Sequence, residues 1–187
     1  MSQSYNPISD INGLIDKVIA IEGDYSNHPA DGGGPTRWGI SETVARAHGY
    51  SGNMRHFPRN EATAIYRRQY WHLPGFHRIE PYAPRLAGKL FDTSINMGPG
   101  IATGFLQRSL NALNRNGRDF SDIAVDRQIG GKTLAALQTF LQRRRPDGET
   151  ILLKAVEALQ GARYIKLAEQ RPANEAFLYG WLAHRIS

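Results

Sequence analysis

Glu22, Asp31 and Thr36 stand in the pattern E-x8-D-x4-T-x2-G-I, which closes on Gly39 and Ile40. A carboxyl that donates a proton, a second that stays ionised and a hydroxyl that holds water form a set able to split an acetal linkage. One acid protonates the leaving oxygen while the other group steadies positive charge or orients water on the opposite face. Each residue alone has a plainer reading: Glu22 as an acid at a helix end, and Asp31 as a turn residue. The joint spacing gives the set its interest.

Glu22 follows the run Ile11, Leu14, Ile15, Val18, Ile19, whose i, i+3, i+4, i+7, i+8 spacing predicts an amphipathic helix capped by Ser9 or Asp10 and stopped by Gly23. An acid at a helix carboxyl terminus meets the partial negative charge of the last carbonyls, so helix stability does not explain it. Because Glu22 continues the apolar stripe, it is expected to face the core, where desolvation would raise its pKa. Asp31 lies in the polar loop before Gly32-Gly33-Gly34-Pro35, an environment in which a carboxylate stays charged. Residues 36–40 are expected to form a short strand, and Ser41 to cap the next helix.

The rest of the chain reads as helix. Pro58 and Asn60 open EATAIYRRQYW; Pro81 and Pro84 precede a helix with Leu86, Leu90, Phe91 and Ile95; another carries Phe105, Leu106, Leu110 and Leu113. A polar loop, NRNGRDFSD, leads to VDRQIGGKTLAALQTFLQRRR, and two further helices are expected near residues 149–169 and 173–184. The fold class is therefore mainly α, with residues 24–35 as loop or tight hairpin.

With 187 residues, 41% hydrophobic and 21% charged, the chain is long enough to bury a real core. It has no cysteine, which excludes disulfides, thiolate nucleophiles and cysteine zinc sites, and its histidines show no H-E-x-x-H spacing, so neither metal nor cofactor is expected. Residues 1–92 carry ten Lys/Arg against nine Asp/Glu, and residues 93–187 thirteen against eight, or about +1 and +5. That basic second half suits an anionic partner. The Arg143-Arg144-Arg145 run suggests wall or lipid phosphate contact, or simply a solvated helix face. No zinc module, basic arm or recognition helix supports specific nucleic-acid binding. No apolar run reaches membrane-spanning length, and MSQSYNPISD has no signal-peptide pattern, so synthesis in the cytoplasm is expected.

The stretch Glu22-Gly23, Tyr25, Asn27, Pro29, Asp31, Gly33, Thr36, Gly39-Ile40 resembles the active-site segment of phage-type lysozymes, and more specifically that of glycoside hydrolase family 108, the phage and prophage N-acetylmuramidases. The Asp-to-Thr interval is one residue shorter than in the phage-type pattern, and Asp24 stands where a glycine is common in the family. Asn96-Met97-Gly98-Pro99-Gly100 resembles the N-x-G-x-G turn that lines the sugar cleft of lysozyme-like muramidases and lytic transglycosylases. LQRSLN followed by VDRQIGGKTLAAL looks like the family's predicted peptidoglycan-binding region, with Leu106, Leu110, Leu134 and Leu137 packing together.

The resemblance implies a lysozyme-like fold, with a catalytic segment over 1–92 and a helical second lobe over 93–187 packed on it as one unit. It implies a muramidase acting on the β-1,4 bond between N-acetylmuramic acid and N-acetylglucosamine: Glu22 as acid, Asp31 stabilising charge or activating water, Thr36 holding water. Tyr25, Asn27, Trp38, Gly39, Asn96 and Gly98 would contact substrate. Among the aromatics Tyr25, Trp38, Tyr66, Tyr70 and Trp71, core packing is the default and Tyr25 and Trp38 are the candidates for stacking on sugar. Peptidoglycan is the expected partner and a monomer the expected state. A phage endolysin reaching the periplasm by holin-mediated release fits the missing signal; a lytic transglycosylase or a noncatalytic wall-binding protein is the alternative.

Overall fold

The apolar stripe of the first helix, α1 (Ile11–Glu22), buries Ile11, Ile15, Val18 and Ile19, and Gly23 ends it in a left-handed conformation (φ 81°) with its N–H on the Ile19 carbonyl at 3.2 Å. The structure, a computed structural model, describes residues 11–27 and 34–186. The chain forms two compact units, Met1–Leu73 and Pro74–Ser187. Residue 92, where the charge balance shifts, falls inside a helix of the second unit.

In the first unit the chain leaves α1 into a three-stranded antiparallel sheet of two-residue strands: β1 (Tyr25–Ser26), β2 (Thr36–Arg37) and β3 (Ile40–Ser41), in that order. Tyr25 pairs with Arg37, Ser26 with Thr36, Thr36 with Ser41 and Arg37 with Ile40. The sequence-based single strand over 36–40 is thus a hairpin turning at Trp38-Gly39. Ser41 caps α2 (Glu42–Ala47), accepting from the Val44 N–H at 3.4 Å. α3 (Arg59–Arg67) packs against α1 through a face that buries Ala62, Ile65 and Tyr66. It continues into a π turn, Arg68–His72, where the Leu73 N–H reaches the Arg68 carbonyl at 2.9 Å.

The second unit is helical. α4 (Pro84–Met97) and α5 (Pro99–Ala112) pack on each other and on the long α7 (Gly148–Gln170), while α6 (Gly131–Arg143) and α8 (Glu175–Arg185) also lie against α7. Leu86, Leu90, Leu106, Leu110, Leu137, Phe140 and Val156 are buried together in this unit's core, each contributing about 1.5–3 kcal/mol. Leu134, expected among them, is only half-buried.

The polar loop between α5 and α6 is ordered by side-chain amides at helical spacing. Gln107 donates to Asp126 (2.7 Å), the Gln128 carbonyl and Thr133 (both 3.1 Å), and accepts from the Arg127 N–H at 2.9 Å. Asn111 donates to the Ile123 carbonyl (2.8 Å) and accepts from its N–H (3.0 Å); Asn114 does the same for Phe120 (2.6 and 3.1 Å). Each amide replaces the pairing a neighbouring strand would supply. Asp119, buried, collects Arg115, Arg143 (3.6 Å) and Arg144 (3.4 Å). Two members of the arginine run are therefore engaged within the protein, because Asp119 needs compensation for its lost hydration. The hydrogen bond from Arg115 is the main reason that its carboxyl sits below the usual range, against the opposing effect of burial.

Candidate active site

Glu22 sits at the last position of α1 and is exposed, which corrects the expectation that it faces the core. The stripe it would continue is covered as far as Ile19; at the helix end the packing runs out, and neighbouring Ile21 is exposed too. The core therefore does not enclose this acid, and its surroundings come from one flank.

That flank is built by a turn and a tyrosine. Trp38 and Gly39 join β2 to β3 with φ of 55° and 75°, the two left-handed residues that a two-residue hairpin of type I′ requires. Glycine is needed at 39 for space as well as conformation. A Cβ there would lie 2.2 Å from the Tyr66 hydroxyl and 2.9 Å from Cγ of Glu22. Glu22, Gly39 and Tyr66 are thus in contact around a single backbone position.

Trp38 is a bulky residue held where few L-residues go, at a cost on the order of 1–3 kcal/mol. Several bonds hold it there. Its N–H donates to the Asp24 carbonyl at 3.1 Å, its indole Nε1 to the Phe57 carbonyl at 3.1 Å, and its own carbonyl accepts from the Tyr66 hydroxyl at 3.2 Å. The Arg37 guanidinium lies 5.0 Å from the indole centroid and pairs with Asp24 at 2.8 Å, so Asp24 ties the loop after α1 to β2.

Tyr66 is buried, and Tyr70, four residues on in the π turn, is half-buried with its ring 5.9 Å away. Burial raises the pKa of both phenols, and the Glu22 charge raises each further. Both stay protonated at neutral pH and present O–H dipoles on the acid's side of the unit. A widened helical turn beside such a group is a frequent functional feature.

Of the other expected residues of this unit, Thr36 and Tyr25 fall in the sheet. Thr36 pairs with both neighbouring strands and its hydroxyl donates to the Gly34 carbonyl at 3.4 Å. Tyr25, half-buried, has the Arg55 guanidinium 4.4 Å from its ring centroid, and Asn27 is exposed. Asp31 lies outside the described residues. Trp71 and Tyr66 belong to the buried set, whereas Tyr25, Trp38 and Tyr70 are half-buried.

Asn96 and Gly98 are in the second unit. Asn96 is exposed and its side chain donates back to the Asp92 carbonyl at 2.8 Å. Gly98 (φ 89°) separates α4 from α5, takes the Ser94 carbonyl with its N–H at 2.9 Å and offers its own carbonyl to Ile101 at 3.1 Å. A Cβ at 98 would meet nothing within 4 Å, so this glycine is required by conformation, and the space beside it is open. Among the described residues no group of His, Asp or Glu side chains is arranged to hold a metal ion, and no helix is long and apolar enough to cross a membrane.

Residues 15–98, which include this turn and acid, match the model of the family described as glycosyl hydrolase 108, and residues 101–186 match that of a predicted peptidoglycan domain. The first half is similar to the glycosyl hydrolase 108 family. Among solved structures the chain is similar to SagA of Brucella abortus, at 24% identity and a TM-score of 0.53, over 95% of this chain and 96% of that one. No curated protein sequence matches the chain. The glycosyl hydrolase 108 segment therefore carries glycoside hydrolase activity, peptidoglycan is the polymer named for the segment that follows, and the architecture is lysozyme-like and mainly helical.

Within the glycosyl hydrolase 108 segment, Tyr66 and Tyr70 are the residues whose importance the sequence concealed. Their i, i+4 spacing in YRRQYW was visible, but it reads equally as core packing. Only the tertiary contact with Gly39 and Glu22 separates the two readings.

Proposed function

We propose that the protein is an N-acetylmuramidase that cuts the β-1,4 bond between N-acetylmuramic acid and N-acetylglucosamine, and that it serves to lyse bacterial cell wall. The observation that carries the reading is the carboxyl of Glu22, mounted at the end of a packed helix, braced on one side by Gly39 and Tyr66 and open on the other. An open flank lets a glycosidic oxygen approach within hydrogen-bond reach, which a general acid requires. Glu22 protonates that oxygen as the bond breaks. Asp31 supports positive charge on the sugar or activates water, and Thr36 holds the water.

Tyr25 and Trp38 present ring faces to sugar and Asn27 and Gly39 contact substrate in the first unit in this reading; Asn96 and Gly98 are the substrate contacts proposed in the second. The second half supplies affinity for the wall, with the excess positive charge of residues 93–187 complementing its acidic groups. The proposed setting is that of a phage or prophage endolysin.

Mass spectrometry of the soluble products from purified peptidoglycan tests the assignment. Reducible N-acetylmuramic acid ends that vanish with Glu22→Gln are expected. Anhydro ends would make the protein a lytic transglycosylase, and wall binding without fragments would leave only a binding protein.

A further inference from the structure

The geometry points to Tyr66 as a positioning residue for the general acid, acting through the strained Trp38-Gly39 turn; this rests on the assignment of Glu22 as that acid. Three observations meet at one place. Trp38 is held in the left-handed region, which an indole-bearing residue adopts at a cost. The Tyr66 hydroxyl donates to the Trp38 carbonyl, the peptide oxygen of the bond linking Trp38 to Gly39. On its inner side Gly39 touches both that hydroxyl and the Cβ and Cγ of Glu22.

The turn therefore acts as a stop against which the Glu22 side chain rests, and the phenol fixes where the stop lies. Without the hydroxyl, the Trp38 carbonyl loses its buried donor and the strained turn relaxes toward ordinary backbone. Gly39 then moves away from Glu22, and the carboxyl gains rotamers. Displacing a catalytic group by about 1 Å costs on the order of 10²-fold in rate. The remaining contacts of Trp38, from its backbone N–H and its indole, keep the hairpin in place. The expected loss is therefore in rate rather than in folding.

Tyr66→Phe tests this, with kcat and KM measured on solubilised peptidoglycan chains well below the Tm of each protein, beside Glu22→Gln. The expected result is a fall in kcat of about 10- to 100-fold with KM within about twofold of wild type. The same change is made in a Trp38→Asn background, because asparagine accepts the left-handed region and removes the strain that the hydroxyl opposes. There the kcat penalty of Tyr66→Phe, relative to Trp38→Asn alone, shrinks to a few-fold. This second comparison also serves if Tyr66→Phe alone fails to fold.

Wild-type kcat in Tyr66→Phe overturns the inference, as does a raised KM at unchanged kcat, which would make the phenol a substrate contact. An undiminished penalty in the Trp38→Asn background overturns the route through the turn. An active Glu22→Gln protein would instead remove the assignment on which the inference rests, so the two failures are distinguishable.

Discussion

The unit ending at Leu73 and the unit beginning at Pro74 solve the same folding problem with opposite tolerances. In the second, exacting polar demands are met: Gln107, Asn111 and Asn114 satisfy a long irregular loop, and Asp119 has its arginines. In the first, three strands of two residues carry a tryptophan in left-handed backbone, and an acid sits at the negative end of its helix. Both units hold irregular backbone; in the α5–α6 loop side-chain amides compensate it, whereas at the end of α1 an acid stands exposed without a helix-stabilising role. Among the described residues, left-handed non-glycine backbone falls at Trp38 in the first unit and at Arg115, Asn116 and Arg127 around the α5–α6 loop in the second; the tryptophan is the bulkiest of the four, and its turn lies against Glu22.

The sharpest way to break that contrast is Gly39→Ala. The added methyl meets the Tyr66 hydroxyl and Glu22 and also demands left-handed backbone, so kcat/KM should fall by about 10²-fold or more, with a lower Tm. An alanine protein with native turnover would show that the contact at 39 is idle. In the second unit the opposite pattern is expected. Asn114→Ala strips the Phe120 peptide groups of their partner and should destabilise the protein by about 2–3 kcal/mol in denaturant titration. Activity per folded molecule should stay within about threefold of wild type, since that amide lies in the structural ladder.

A smaller effect concerns pH. Asp119 has a lowered folded pKa, so its contribution is complete above its unfolded value of about 3.9 and is lost as pH falls through the folded one. Thermal melts from neutral to strongly acid pH should show wild type losing more Tm than Asp119→Asn across that window; parallel curves would contradict it. Smallest of all, Glu22→Gln removes a charge from the negative end of α1 and should raise stability by about 0.3–1 kcal/mol, seen as a slightly higher Tm. That gain, set against lost turnover, would express the exchange of stability for function at one residue.

Much of this was legible from residue spacing. The period of Ile11, Ile15, Val18 and Ile19 placed α1 and its end, the Ser41 cap fixed α2, and Pro84 and Gly98 bounded α4. That Glu22 and Gly39 belong to one pattern was visible because those residues are close in sequence. The direction of Glu22 was not, since a stripe shows which face is apolar and not where its cover stops. The hairpin within residues 36–41 was hidden by the absence of an Asn-Gly or Asp-Gly signal: a tryptophan occupies the first turn position, and what holds it comes from Asp24, Phe57 and Tyr66 elsewhere in the chain. The capture of Arg143 and Arg144 by Asp119 was equally invisible, being a contact between segments more than twenty residues apart.

Turnover of purified peptidoglycan by Glu22→Gln, measured beside its Tm, tests the central claim most directly. The account predicts a loss of about 10²–10⁴-fold or more in kcat with a Tm equal to or slightly above wild type. A Glu22→Gln protein that releases fragments at the wild-type rate would contradict it.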